Sequence, residues 1–275
     1  MRVATYNVQS GGFENYKDYE SKHPPRLGAI QQAVHHIDAD VIGLTDTFRW
    51  SSLYTSADLR AIFNYGHAVA VPISDITMGM SGRNIGLTVL SRREFTHKSR
   101  VNLGERNGLR TDVELNDGQI LRLFTAYLNH ASEHTRVEQS LALMSHTVKP
   151  ELATVIADLN SVSRGDKKSS LLRKVLSLAP DAKIKGDLAE LNELLKGDAH
   201  QLFVEAGFID ANNERLPSWP TPAKRILGGL ALPPILRVDH ILHSPDIKSS
   251  DCDVPKGEPY QSASDHFPVV AQLTV

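Results

Sequence analysis

Apolar positions along the chain fall into two rhythms. The stretch "RVATYNV" (2–8) alternates, is rich in strand formers and stops at the loop "SGG". Residues 13–25 are polar and end in Pro24-Pro25, which predicts a loop. From Arg26 the spacing lengthens, with Leu27, Ile30, Val34 and Ile37 recurring as on one helix face. Short apolar runs predict buried strands at 40–45, 83–91, 152–160, 237–243 and 267–275. A hairpin is expected over 109–128, turning at Asn116-Asp117-Gly118, where Asp and Gly tolerate positive φ. Helical spacing returns at 133–148, with Val137, Leu141, Met144 and Val148 on one face, and again at 169–178 and 187–196. A short helix is expected over 198–208, with Gly207 as its stop. Residues 215–235, rich in Pro and Gly around Trp219, predict a structured loop, and a turn-rich stretch joins the last two strands.

Strands separated partly by helices and partly by hairpins imply a largely antiparallel sheet or sandwich with helices outside. Strict βα alternation, the mark of a parallel doubly wound sheet, is absent. The 275 residues carry 41% apolar and 23% charged side chains, an ordinary globular composition. The net charge of −2 lacks the basic surplus of a non-specific nucleic-acid binder. One cysteine, Cys252, excludes an intramolecular disulfide and fits a reducing compartment. No apolar run approaches a membrane span. The start "MRVATYNVQ" reads as a strand rather than a leader, so the expected location is cytoplasmic.

Polar groups gather at the strand ends. Asn7 ends the first strand, Asp46 the second, Tyr127 the hairpin, and Asp158 and Asn160 the run "VIADLN". Asp239 sits within "RVDHIL", and Asp265-His266 precedes the last strand. An Asp or Asn at a strand end is ordinarily a turn former or a helix cap. Asp239 differs: between Val238 and Ile241 an unpaired carboxylate is costly, so it needs a partner, His266 or the adjacent His240. Carboxylates and an Asn without a cysteine cluster suit a hard cation such as Mg²⁺. Neither His35-His36, expected to face solvent, nor His130 with His134 makes a zinc motif.

The ordered blocks "ATYNVQSGG", "ADVIGLTDTF", "GLTVLSR", "LFTAYLNH", "VIADLNS", "RVDHILHS" and "SASDHFPVV" resemble the endonuclease/exonuclease/phosphatase superfamily. The resemblance spans residues 3–273 and implies a four-layer α/β sandwich, two mostly antiparallel sheets with helices outside each. It implies one domain over 1–275 with an insertion at about 161–197. By position, Asn7, Asp46 and Asp265 would be metal ligands for Mg²⁺, or Mn²⁺ in its place. Asp158 would align or deprotonate the attacking water, and Asn160 would contact the phosphate. Asp239 would pair with the catalytic His266. Tyr127, where many members have His, resembles the abasic-site endonucleases, and His130 in the next loop would touch a phosphate.

The chemistry so implied is metal-assisted hydrolysis of a phosphoester. One departure stands out: the family's Gln-Glu is Thr45-Asp46 here. Aspartate is one methylene shorter, which sets its carboxylate back by roughly 1.5 Å. Either the backbone moves inward, a water bridges, or other ligands carry more of the coordination. Otherwise the site is weakened and the chain is a binding protein on the same fold. The substrate is open among nucleic acid, lipid headgroup and small phosphoester, and the net charge does not indicate nucleic acid. The basic run Arg164–Lys174 reads first as a solvated helix face. Trp219 would form a wall of the site, stack a base or anchor its own loop.

Overall fold

The computed structural model describes residues 1–14, 21, 23–74, 85–147, 152–177, 187–221, 225–226, 230–231 and 233–275. Expectations that touched Arg83, Asn84, Val148, Leu178 and Lys224 lie outside these residues. The strands are β1 (Arg2–Asn7), β2 (Val41–Thr45), β3 (His67–Pro72), β4 (Gly86–Ser91), β5 (Phe95–Asn102), β6 (Asn107–Glu114) and β7 (Ile120–Tyr127). They continue with β8 (Ala153–Asp158), β9 (Ile209–Asp210), β10 (Arg225–Ile226), β11 (Leu230–Ala231), β12 (Asp239–His243), β13 (Lys248–Asp253) and β14 (Val269–Thr274).

Twelve of these form two six-stranded sheets, in the orders β13-β14-β1-β2-β4-β3 and β5-β6-β7-β8-β12-β9. Each sheet holds one parallel pair, β1 with β2 and β7 with β8; the other pairs are antiparallel. The sheets pack face to face, with helices around them, as a four-layer sandwich. They approach closely at Gly43, where a Cβ would stand 2.7 Å from Ile156 Cδ1, so β2 needs glycine there. Helix Leu27–Ile37 buries Ile30, Ala33, Val34 and Ile37, the expected face, and His35 and His36 are exposed. The hairpin turns at Gly118, φ 83°.

Two expectations fail. Helix Glu133–Ser145 was expected to bury Val137, Leu141 and Met144, but it buries Glu133, Arg136, Gln139, Ser140 and Leu143, and leaves Leu141 51% exposed. The buried charges are paired, Glu133 with Arg136 at 2.5 Å, so a polar face can turn inward. The stretch before the last strand contains a strand of its own, β13, and a short helix, Tyr260–Ala263.

In the expected insertion, helices Lys167–Ser177 and Asp187–Leu195 join a small core of their own. Leu191, Leu194 and Leu195 pack with Val162, Leu236 and Val238, and Trp219 rests against them.

Candidate active site

Strand register does most of the assembly. In the second sheet Tyr127 lies beside Asp158 on β7 and β8, and Asp158 beside Asp239 on β8 and β12. In the first sheet Asn7 lies beside Thr45, so Asp46 follows at the same edge. A hydrogen bond then joins the sheets: Asn7 Nδ2 donates to Asp158 Oδ2 at 2.8 Å. The Asn7 amide is oriented in turn, because its Oδ1 accepts from Gln9 N at 2.8 Å.

Asp158 is fully buried, and its Oδ1 accepts from Asn160 N at 2.9 Å in an Asx turn. Asn160 adopts φ 48°, and its Nδ2 donates to Leu128 O at 3.0 Å. Burial, then the neighbouring Asp239 charge, raises the Asp158 carboxyl to about 7, against the pull of His266 and the two Asn hydrogen bonds.

Of the two partners open to Asp239, His266 takes it: His266 Nδ1 donates to Asp239 Oδ2 at 2.8 Å. Burial opposes a charged His266 ring, but the charge and hydrogen bond of Asp239, with Asp265 and Asp158, raise it to about 9. Asp239 Oδ1 is buried with no partner among the described residues. Asp265 Oδ1 stands 4.0 Å from His266 Nε2. The His266 segment is strapped to the Trp219 loop by Thr221 N to Asp265 O, Thr221 Oγ1 to Ser264 O and Phe267 N to Ser218 O. The Trp219 ring, half-buried, has its centroid 6.3 Å from that of His266.

Asp46 is 3% exposed, and its backbone is left-handed at φ 55°, a conformation Asp tolerates better than most residues. Its Oδ2 accepts from Ser10 N at 2.8 Å and its backbone oxygen from Gly11 N at 2.7 Å. Gly11 must be glycine: φ is 60° and a Cβ would lie 2.6 Å from Phe48 O. The loop "SGG" thus wraps the end of β2.

Tyr127 is 9% exposed, and burial, followed by the charges of Asp46 and Asp158, holds its phenol well above the ordinary value. It is therefore a proton-bearing group at neutral pH. Arg106, which the sequence did not single out, stacks over the Tyr127 ring at 4.8 Å and donates to the Tyr127 and Leu128 carbonyls. Its only signal was a charge beside a strand. His130 stands at the exposed rim with Nδ1 3.5 Å from Arg106 Nη2. Partial desolvation, then the Arg106 charge, lowers its pKa.

Two groups bring three metal-capable side chains within 4.8 Å among the described residues: Asp158 with Asp239 and His266, and His200 with Asp210 and His240. The second was not foreseen, although His240 was noted beside Asp239. In it Asp210 Oδ2 meets His200 Nε2 at 3.0 Å, His240 Nδ1 at 3.0 Å and Arg237 Nη1 at 2.9 Å, while Oδ1 accepts from Asn212 N.

The chain matches the profile described as "Endonuclease/Exonuclease/phosphatase family" over residues 4–266. Similar solved structures include an AP endonuclease from Archaeoglobus fulgidus, with 18% identity, TM-score 0.66 and 100% of both chains covered. A 3'-5' exonuclease from Neisseria meningitidis matches at 16% identity and TM-score 0.65, again over 100% of both chains. A mannosyl-6-phosphatase from Bacteroides thetaiotaomicron matches at 15% identity and TM-score 0.59, with 100% of both covered. No curated protein sequence matches the chain. No described helix is long and apolar enough to cross a membrane.

Proposed function

Because the chain belongs to the endonuclease/exonuclease/phosphatase family, we propose that it is a divalent-metal-dependent hydrolase of phosphoester bonds, with Asp158 as the base for the attacking water. The observation that carries this reading is the buried Asp158 carboxyl, raised to about 7 and held by Asn7 and Asn160. A base is most effective when its pKa lies near the working pH. A fully buried carboxylate beside a second one costs stability, and a role in catalysis accounts for that cost.

The residues present suit a hard cation. Asp46, Asp158 and Asp265 all raise the Tyr127 phenol, so their negative charges converge on one place. Asp239 adds an oxygen with no partner among the described residues. An oxygen-rich, carboxylate-heavy donor set favours Mg²⁺ or Mn²⁺ over zinc. Asn7, Asp46 and Asp265 would hold the ion. When bound, it supplies Lewis-acid neutralisation of the charge that develops on the phosphoryl oxygens.

The chain's own groups do the rest. Asp158 aligns a water and takes its proton. His266, kept charged by Asp239, presents Nε2–H to a phosphoryl oxygen. Asn160 keeps one Nδ2–H on Leu128 O and offers the other. Tyr127 retains its proton under the surrounding carboxylates and so serves the leaving oxygen as a donor. Arg106 fixes the ring of Tyr127, and His130 lies where an outer phosphate oxygen would pass. Trp219 forms the wall beside His266. Among the named neighbours, an AP endonuclease, an exonuclease and a phosphatase share this fold, so the bond type rather than the substrate is what the family supplies.

The test is hydrolysis of bis-p-nitrophenyl phosphate and of a plasmid with Mg²⁺ and Mn²⁺, at low and moderate salt, beside Asp158→Ala. Metal-dependent turnover lost in the variant is expected. Turnover that survives Asp158→Ala or chelation would remove this mechanism. Steep salt inhibition on plasmid alone would identify a nuclease.

A further inference from the structure

A pocket of about 250 Å³ opens near the Trp219 loop, lined by Asp166, Lys168, Arg215, Pro217, Ile235 and Arg237. Its charges are not matched one to one. Arg237 is 4% exposed and fully engaged: Nε and Nη2 each reach an oxygen of Asp166 at 3.2 Å, and Nη1 donates to Asp210 Oδ2 and Asn212 O. Asp166 is thereby held by a bidentate guanidinium. Arg215 stands further off, with Nε 3.8 Å from Asp166 Oδ1 and a side chain 54% exposed. Lys168 is exposed and has no acidic partner among the described residues.

Two cations therefore face the mouth: Lys168 without an acidic partner among the described residues, and Arg215 paired only at 3.8 Å with Asp166, whose two oxygens Arg237 already holds. Below them Pro217 and Ile235 provide an apolar floor. Arg215 also holds a left-handed backbone, φ 59°, a conformation that disfavours a residue with a Cβ. Its N donates to Asn212 O at 3.1 Å and its Nη1 to Gly165 O at 2.5 Å, bonds that fix the side chain where it lines the pocket.

We propose that this pocket is a second anion site, one that takes an organic phosphate. The dianionic head would lie between Lys168 and Arg215, and the carbon body on Pro217 and Ile235. A phosphate dianion matches two cations, and the floor favours a ligand that carries apolar surface. None of its lining residues belongs to the group of Asp158, Asp239 and His266, and the proposal does not depend on the hydrolase reading.

The experiment uses the full chain labelled at isoleucine δ1 methyls, with EDTA present so that metal at the reaction centre plays no part. The Ile235 methyl reports this pocket and is followed by NMR as phenyl phosphate or inorganic phosphate is added. A saturable shift of Ile235 is expected with phenyl phosphate, and a Kd at least about fivefold weaker with inorganic phosphate. The double variant Lys168→Gln/Arg215→Gln should raise the phenyl phosphate Kd by about tenfold or more. Both residues are exposed, and an unchanged spectrum elsewhere establishes that the variant is folded. An unmoved Ile235 methyl overturns the proposal, and so does undiminished binding by the double variant. Equal affinity for the two ligands would overturn it as well, since the apolar floor would then contribute nothing.

Discussion

Two clusters of the same residue types lie on opposite faces of β12 and behave differently. Asp239 turns to His266 and Asp158; His240, its neighbour in sequence, turns to Asp210 and His200. Around Asp210 the donors outnumber the acceptors. Three cationic or histidine groups meet one carboxylate oxygen, and Arg237 ties it to Asp166 as well. Despite burial, these partners hold Asp210 well below the ordinary carboxylate range. Around Asp158 the carboxylates outnumber the cations, Asp158 itself rises to about 7 and Asp239 Oδ1 has no described partner. Excess negative charge is what a metal and a general base need; excess donors make a closed ion-pair knot. The inventory of residues does not separate the two clusters, but the charge balance does.

The sharpest way to break this contrast is a pair of isosteric changes. Asp158→Asn should lower kcat by about 10²–10⁴-fold, the usual worth of a general base. Its stability should stay level or improve, because a buried carboxylate beside Asp239 disappears. Asp210→Asn should do the reverse, at about 3 kcal/mol in urea unfolding with kcat per folded molecule retained, since it removes the buried charge that two histidines and Arg237 Nη1 share, although Asp166 still holds Arg237. If Asp210→Asn proved inactive but stable, the assignment of the two clusters would have to be exchanged.

Acid should separate them next. Burial, then the charge of His240, holds His200 down to about 4, below its unfolded value near 6.5. Between those values the unfolded chain binds the extra proton, so stability from His200 is full above pH 6.5 and is lost as pH falls toward 4. The size is of the order of 3 kcal/mol. His266 has the opposite sign: raised to about 9, it contributes fully below pH 6.5 and loses its contribution as pH rises through 9. Urea midpoints at pH 4.5, 7 and 9.5 check both, with His200→Gln expected to flatten the acid limb. An acid limb left intact in that variant would show that His200 is not its source.

Metal should act on one cluster only. Mn²⁺ at about 100 times its Kd should stabilise the protein by about 2.7 kcal/mol. Asp265→Asn should weaken that gain, whereas Asp210→Asn should leave it. A gain lost in Asp210→Asn and kept in Asp265→Asn would place the ion at the histidine knot.

What could be read from the sequence follows the same line between crowded and open surroundings. The eight interior strands of the two sheets, β1, β2, β4, β14, β6, β7, β8 and β12, were all legible as apolar or alternating runs. The four edge strands, β3, β5, β9 and β13, were not. An edge strand such as β13, "KSSDCD", faces solvent on much of its surface and carries no apolar pattern. Helix Ser56–Phe63 was also missed, although Thr55 and Asp58 form a capping box that the spacing Thr-x-x-Asp announces. The converging groups Asn7, Asp158, Asp239 and His266 were legible because each ends or borders a readable strand. Arg106 and the Asp210 knot were not, since Arg106 lies in the turn between β5 and β6 and Asp210 on the two-residue β9, whose positions no local period encodes. The polar inner face of helix Glu133–Ser145 inverted a hydrophobic reading for the same reason: beside its local ion pair, buried Glu133 accepts from Ser161 Oγ and Ala199 N, which only the fold brings there.

The smallest expected effect concerns Asp46, the residue at which the resemblance implies a Glu. Its left-handed backbone and the bonds from Ser10 and Gly11 suit aspartate. A longer side chain gains reach but loses the Ser10 clamp and tolerates φ 55° less well. Asp46→Glu should therefore change the Kd for Mn²⁺ by less than about tenfold, within 1.4 kcal/mol. It should cost about 1 kcal/mol or less of stability. Isothermal titration and the bis-p-nitrophenyl phosphate rate, measured together, check it. A rise in turnover by several orders of magnitude would mean that the short side chain disables the wild-type site. The chain would then be a binding protein on a hydrolase fold, and the excess of carboxylates around Asp158 a vestige of chemistry it no longer performs.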